Sequence, residues 1–329
     1  MTTVKDVARA AEVSVGTVSK VLSKDQTVKP ALRARVLQAV ETLGYKPNLA
    51  ARALRTNRVS MFGLIVPDIT NPFFAQLAKN IEAEAGQVAH TVMLANSDDD
   101  PEKEAQQVET LLNQSPRGLI VVGASRAALR GIKTQVPIVS VDRRYGSYRL
   151  ISTDHQKASA MVADHFFGLG HRRIAYISGP QSTEVGRLRK KGFCDRISEL
   201  ATTGDPVSLV TREGQFNYLS GEENAYDLIG QAPDVRPTAI AAASDQQAIG
   251  ALRAARDVGL AVPGDLSIAG FDDITLAGLV VPRLTTVAQP SGQIAKAAVH
   301  ALLEEAADGG RDQVIAAQLE VRGSSGPAP

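Results

Sequence analysis

From Ser60 onward the sequence repeats one pattern, a short apolar run of strand length followed by a punctuated stretch of helical length. The runs are Phe62–Val66, Thr91–Ala95, Gly118–Val122 and Pro137–Val141, then Ile174–Ser178, Val207–Val210, Ala239–Ala242 and Leu266–Gly270. Helical stretches fall near 72–87, 102–114 and 125–132, and a longer one covers 155–169. Alternation of this kind predicts parallel sheets with helices on both faces, and there are enough strands for two such lobes. Towards the end, Leu284–Gln289 predicts a crossover into a helix over 291–307, with Ile294, Ala297, Ala298 and Ala301 as its apolar stripe. A last strand is expected near Val314–Val321, then a flexible tail, Gly323–Pro329.

The totals set outer limits. At 329 residues the chain can form two or three domains with proper cores. No segment approaches eighteen uninterrupted apolar residues, so no membrane span is expected. Met1-Thr2-Thr3 runs directly into polar residues without a signal peptide, and the single cysteine, Cys194, excludes an intramolecular disulfide and a Cys-rich metal site. Both features point to a cytoplasmic protein. Net charge is +1, but it divides unevenly: residues 1–60 hold eleven Lys or Arg against four Asp or Glu, and the remainder is net acidic. A small basic head on a mildly acidic body is the charge distribution of a DNA-binding module joined to something else.

In that head, Thr3 and Asp6 form a Thr-x-x-acid start signal for a helix over Lys5–Glu12. Val13-Ser14 interrupts it, and Ser14 can cap a second helix from Val15 to about Leu22. Val18, Val21 and Leu22 share its buried face, leaving Val15, Gly16, Ser19 and Lys20 outward. This is a helix-turn-helix. A third helix is expected from about Pro30 to Leu43, with Leu32, Val36, Val40 and Leu43 as its stripe and Gly44 as its stop. Beyond it, Pro47 and Asn48 can start a short basic helix in which Arg52, Arg55 and Arg58 interleave with Ala50, Ala51, Ala53 and Leu54. Alone that helix is too short to be stable, so it reads either as a basic linker or as a segment that folds on DNA.

Thr3–Val21, together with Gly44-Tyr-Lys-Pro-Asn48 and Ala51-Arg-Ala-Leu54, resembles the headpiece of the lactose-repressor (LacI/GalR) family of bacterial transcription regulators, and the likeness continues through nearly the whole chain. The resemblance implies a helix-turn-helix domain over 1–46, a hinge over 47–59 and an effector-binding and dimerisation domain over 60–329. The last would be two doubly wound parallel-sheet lobes of periplasmic-binding-protein type, one of about 60–159 and 290–319, the other of about 160–289 and 320–329. It further implies that Val15, Gly16 and Lys20 meet base edges while Ser14, Thr17 and Ser19 hold phosphates. In the hinge, Leu54 would wedge into the minor groove, with Asn48, Arg52 and Arg55 beside the backbone. Gly16 costs about 1 kcal/mol inside a helix relative to Ala and offers no side chain: either it lets the backbone approach closely, or base reading falls mostly on Lys20, which can donate to guanine acceptors.

Ligands in open parallel sheets sit beyond the carboxyl ends of the strands. Those ends hold Asp68, Asn71, Phe73 and Phe74, then Asp142, Arg143 and Arg144, and in the second half Gly179, Arg212, Phe216, Ser244, Asp245, Asp272 and Asp273. Carboxylates and guanidiniums for hydroxyls, with phenyl rings against a ring's C–H face, suit a sugar. The resemblance narrows the set to Asn71, Phe73, Phe74, Asp142 and Arg143 on one wall, and Arg189, Phe216, Ser244, Asp272 and Gln289 on the other. The alternative for Phe73 and Phe74 is plain core packing, and one of Arg143 and Arg144 is expected to make only a salt bridge. Where family members carry Asn-Asp, this chain has Ser244-Asp245, so the sugar does not follow by analogy. Arg144, Lys190 and Lys191 leave room for an acidic or phosphorylated sugar.

Three functions compete. A doubly wound enzyme is disfavoured because no Gly-x-Gly-x-x-Gly, P-loop, His-Glu-x-x-His or nucleophile elbow occurs. His90, His155, His165, His171 and His300 are scattered, with His171 expected to satisfy a turn. A transport-type binding protein is disfavoured by the basic head. The expectation is a DNA-binding regulator, most simply a repressor of sugar-metabolism genes, controlled by a monosaccharide-like effector between two lobes. The alternative is the same architecture with a non-sugar effector or a corepressor. No cofactor, metal or membrane is expected; the partners are a palindromic operator and a second copy of the chain, without a leucine heptad for a tetramer.

Overall fold

The computed structural model describes residues 2–22, 25, 27–45, 60–124, 134–203, 206–304 and 310–329. The expected hinge, with Asn48, Arg52, Leu54 and Arg55, lies outside the described residues, as does the expected helix over 125–132. The chain divides into two units, Met1–Val59 and Ser60–Pro329.

The first unit holds α1 (Val4–Ala10), α2 (Val15–Leu22) and α3 (Pro30–Thr42). Thr3 and Asp6 form a reciprocal capping box at the start of α1. The helix ends two residues earlier than expected. Glu12 adopts φ +51°, its N–H bonds to the Arg9 carbonyl, and the Val13 N–H bonds to the Ala8 carbonyl. That is a Schellman stop with a glutamate in the left-handed position usually held by glycine. Arg35 of α3 donates to the carbonyls of Ala11 and Glu12, so the orphan end of α1 is covered by a side chain from a distant helix. Ser14 caps α2 by accepting from the Thr17 N–H at 3.1 Å. The core is Val7, Ala8, Ala11, Val18, Val21, Val36 and Ala39. On α3 the stripe is centred on Val36 and Ala39; Leu32, Val40 and Leu43 are half-buried.

The second unit contains two six-stranded sheets. The first is built from β1 (Met61–Val66), β2 (Thr91–Asn96), β3 (Gly118–Val121), β4 (Ile138–Val141), β5 (Leu150–Thr153) and β11 (Gln313–Ile315), in the order β11-β5-β4-β3-β1-β2, all parallel. The second uses β6 (Arg173–Ser178), β7 (Ser208–Glu213), β8 (Ala239–Ala242), β9 (Ser267–Asp272), β10 (Thr285–Ala288) and β12 (Gln318–Glu320), in the order β12-β10-β9-β8-β6-β7, with only β12 antiparallel. The inner strands β1, β3, β4, β8 and β9 are buried along their whole length, which is why they read as continuous apolar runs. Helices α4 (Pro72–Gln87) and α5 (Pro101–Leu112) belong to the first lobe, and α6 (His155–Gly168), α7 (Glu184–Thr203), α8 (Tyr218–Ile229) and α9 (Asp245–Asp257) to the second; α10 (Ser291–Leu303) returns to the first and packs on α4.

Three differences from the sequence reading concern the ends of the chain. Leu284–Gln289 contains a strand, β10, as well as a crossover. The single strand expected near Val314–Val321 is two, β11 in one sheet and β12 in the other, because the chain changes lobes between them. The tail is ordered: Ser324 is fully buried, its hydroxyl accepting from Thr285 N–H and donating to the Ile268 carbonyl, and the Ala328 N–H bonds to the Leu169 carbonyl. His171 does more than satisfy a turn. It is fully buried, and its ring nitrogens meet the hydroxyls of Thr238 and Ser267 and the Gly326 carbonyl, tying the starts of three strands to that tail.

Candidate functional site

On the head, α2 turns Val18 and Val21 inward and leaves Val15, Gly16 and Lys20 exposed, with Ser14 exposed at its start and Thr17 and Ser19 half-buried. A Cβ on Gly16 would meet only the Ser14 hydroxyl, at 3.6 Å, so nothing within the head requires glycine there. Glycine at that position keeps the outer surface of α2 low, which suits close approach by a partner. Part of the head's basic charge is structural: Arg35 closes α1, and Arg33 donates to the Asp25 carbonyl at 2.6 Å.

In the second unit, one small cavity is lined by Asn71, Phe73, Phe74, Asp142 and Arg143 from the first lobe and by Val185, Arg189, Phe216 and Asp272 from the second. It encloses about 20 Å³, room for about one water molecule, so a larger ligand enters only if the lobes part. Asn71 caps α4 through its carbonyl oxygen, which accepts from the Phe73 N–H at 3.0 Å. Phe73 and Phe74 meet edge to face and have both roles, packing in the lobe core while their rings line the cavity.

Both acidic residues that line the cavity sit on strained backbone, Asp142 at φ +61° and Asp272 at φ +116°. Strain of this kind costs roughly 1–3 kcal/mol per residue and gathers at binding sites. Burial by itself would raise the pKa of Asp142, but His155, Arg189 and Arg143 outweigh it and hold the carboxyl well below its ordinary range. Arg143 pairs with Asp99 and lies over the Phe74 ring. Arg144 does not reach the cavity; it pairs with Asp312 at the sheet edge. Arg189 is 3% exposed and fully engaged: its guanidinium donates to the Ala243 carbonyl at 2.6 Å, lies 3.1 Å from Asp272 Oδ1 and sits 3.8 Å above the Phe271 ring. For Asp272, burial raises the pKa and Arg189 and Gln289 offset only part of that. A Cβ on Gly179 would overlap the Phe216 ring, so glycine after β6 makes the space that ring occupies.

Two expected residues do not line the cavity. Ser244 is buried as the N-cap of α9, its hydroxyl bonded to Gln247, which explains why a short hydroxyl is tolerated there. Gln289 stands behind Asp272 and donates to it at 2.9 Å. Asp245 also lies behind the wall: its carboxyl receives the Ile274 N–H and the Thr286 hydroxyl, and a Cβ on Gly270 would overlap it. Burial, then the nearby charge of Asp272, pushes Asp245 well above its ordinary pKa. Val185 was missed, although its spacing of four from Arg189 on one helix face was available in the sequence.

Residues 3–48 match bacterial regulatory proteins of the lacI family, and residues 163–325 match a periplasmic binding protein-like domain. Catabolite control protein A of Priestia megaterium is 35% identical over 308 residues, 91% of each chain. This chain belongs to the LacI family. The ribose operon repressor of Halalkalibacterium halodurans is 33% identical, covering 93% of this chain and 90% of the relative. The lac repressor dimer bound to operator and the anti-inducer ONPF is similar in fold with a TM-score of 0.81, at 28% identity over 99% of both chains. As a LacI-family member the chain is a DNA-binding transcriptional regulator and not an enzyme. No described helix is long and apolar enough to cross a membrane.

Behind the first-lobe wall of this LacI-family cleft, Glu104 is fully buried. One oxygen accepts from the Ala124 N–H at 2.5 Å and the other has no hydrogen-bond partner. Burial drives its pKa up to about 7, the Ala124 N–H offsets part of this, and the charge of Asp99 adds to it. A raised carboxyl pKa contributes stability that is fully present below about pH 4.5 and is lost as pH rises through about 7. Glu104→Gln is expected to flatten urea-unfolding stability across that window and to exceed the wild type by on the order of 2 kcal/mol near pH 8. Parallel pH profiles for the two proteins would contradict the assignment.

Proposed function

We propose that this regulator is a cytoplasmic repressor of sugar-metabolism genes, and that an uncharged monosaccharide in the interlobe cavity sets its affinity for a palindromic operator. The observation that carries the proposal is the composition of the cavity: two carboxylates, two guanidiniums and three phenyl rings drawn from both lobes, with the four charges balanced. Balanced charges leave no surplus cation for a carboxylate or phosphate on the ligand. Lys190, Lys191 and Arg144 do not line the cavity, so the acidic or phosphorylated sugar that their presence allowed is disfavoured. Acceptors and donors around a phenyl-lined slot suit hydroxyls and a sugar ring. The ribose operon repressor relative makes D-ribose the first sugar to test.

The assignment of residues 1–46 to DNA reading, 47–59 to the hinge and 60–329 to effector binding and dimerisation is part of this proposal, as are the DNA-facing and cavity roles of the named residues. A helix-turn-helix on a palindrome needs a twofold partner. A ligand that parts and then recloses the lobes changes how two copies meet, and so whether the hinge segments pair on DNA; release on sugar binding is the expected sense.

The purified full chain is expected to bind a palindrome from its own upstream region, losing affinity steeply between about 50 and 200 mM salt as phosphate contacts are screened. Lys20→Ala should weaken operator binding by about 1–3 kcal/mol and relax preference at one base pair. Fluorescence anisotropy against operator variants measures both. Binding that is indifferent to sequence and to salt would sink the reading.

A further inference from the structure

His155 is the first residue of α6, where the chain first passes from the first sheet to the second. It is 3% exposed and does not line the cavity, yet it stands between the two cavity residues that come from opposite lobes. Its Nε2 hydrogen-bonds the Asp142 carbonyl oxygen at 3.4 Å and lies 3.3 Å from Asp142 Oδ1, which itself has no hydrogen-bond partner. Its Nδ1 receives Arg189 Nε–H at 3.4 Å. A guanidinium only donates, so Nδ1 is the acceptor; both neighbours of Nε2 are oxygens of Asp142, so Nε2 carries the hydrogen. The Phe271 ring, 6.0 Å away, closes the other side. The chain continues from Arg189 to Asp272 and on to Gln289.

We infer that His155 is a positioning residue for the effector cleft: its Nε2–H tautomer couples Asp142 of the first lobe, through that residue's backbone carbonyl, to the second-lobe guanidinium of Arg189, and so ties ligand affinity to the distance between the lobes. The inference rests on the reading of the cavity as the effector site. Both contacts of His155 lie at the long end of hydrogen-bond distances, the range in which a small interlobe movement makes or breaks them. No other described side chain touches both Asp142 and Arg189 by hydrogen bond, so the coupling has one adjustable part.

The test has two arms on the full chain. In the first, the protein is labelled with 15N-histidine, and His155 is assigned among the five histidines by its loss in His155→Gln. The expected signature is an Nε2–H tautomer whose Nδ1 resonance moves on Arg189→Lys. An Nδ1–H tautomer, or a His155 signal blind to that substitution, would overturn the inference.

In the second arm, D-ribose binding is followed by calorimetry. Asn at 155 can still accept from Arg189, and Gln can still donate to Asp142, so each keeps one half of the link; Leu keeps neither. Each polar variant is expected to weaken ribose binding about 10- to 100-fold, the loss of one charge-assisted hydrogen bond, and Leu more. Melting temperatures of His155→Asn and His155→Gln should stay close to the wild type. Wild-type affinity in His155→Leu would also overturn the inference. If the wild type takes up no D-ribose, it is the sugar reading that fails for this ligand, and the tautomer arm alone decides the role of His155.

Discussion

Replacing Arg189 with alanine is expected to abolish any sugar-dependent rise in melting temperature and to destabilise the second unit by about 3–5 kcal/mol. The two effects have one origin. Arg189 is 3% exposed and its guanidinium holds the Ala243 carbonyl, Asp272 Oδ1 and His155 Nδ1 at once, with its central carbon 3.8 Å over the Phe271 ring. Its removal leaves Asp272 buried with only Gln289 donating to it, and an uncompensated buried carboxylate costs more than the pair contributed. For a unit of this size the loss corresponds to a melting point lower by roughly 10 °C. Asp272→Asn added to Arg189→Ala removes the stranded charge and should recover part of the stability without restoring the ligand response. If the double variant is no more stable than Arg189→Ala, the stranded-charge account is wrong. If Arg189→Ala alone still shows the sugar-dependent shift, the ligand does not use this cavity.

Gly250→Ala should cost about 3 kcal/mol although it adds one methyl group. Gly250 on α9 faces Gly221 on α8, and the two backbones touch where neither residue has a side chain. A Cβ on Gly250 would overlap the Tyr218 carbonyl oxygen and stand 2.6 Å from the Glu222 nitrogen; a Cβ on Gly221 would overlap the Gln247 carbonyl. The obstructing atoms are backbone on both sides, so relief requires the helices to separate. That would also disturb Ser244 and Asp245 at the start of α9, next to the second-lobe wall of the cavity. Gly168, exposed near the end of α6, is the control. A Cβ there meets nothing within 4 Å, and Gly168→Ala should be neutral or stabilising by up to about 1 kcal/mol. Urea midpoints of the two variants decide: equal midpoints would mean the α8–α9 contact is looser than its geometry implies.

Much of the architecture was legible because its signals are local. α4 spans 72–87 as its pattern predicts, introduced by the Asn71 cap and Pro72, and α2 runs Val15–Leu22 behind Ser14. Caps and apolar periods act within a few residues, so a short window contains them. The cavity residues were legible as types, because strand ends mark where ligands sit, but their depth was not. Ser244 and Gln289 occupy the expected positions along the chain, yet stand behind the wall.

What escaped the sequence has a common cause. Glu12 ends α1 because Arg35, 23 residues on, holds the carbonyls of that turn. The tail from Gly323 has the composition of a flexible segment, yet His171, 155 residues earlier, and Ser267, 59 residues earlier, bind it through Gly326. His155 looked scattered among five histidines until folding placed Asp142 on one side of it and Arg189 on the other.

The sequence by itself determined the family, the helix-turn-helix head, the two-lobed α/β body and the kinds of side chain at the cleft, since each follows from residue type and short-range spacing. Only the tertiary structure decided which charges face one another, that the cavity lining holds as many carboxylates as guanidiniums, and that His155 stands between Asp142 and Arg189. Those are distances between residues far apart in the chain, and no local pattern encodes them.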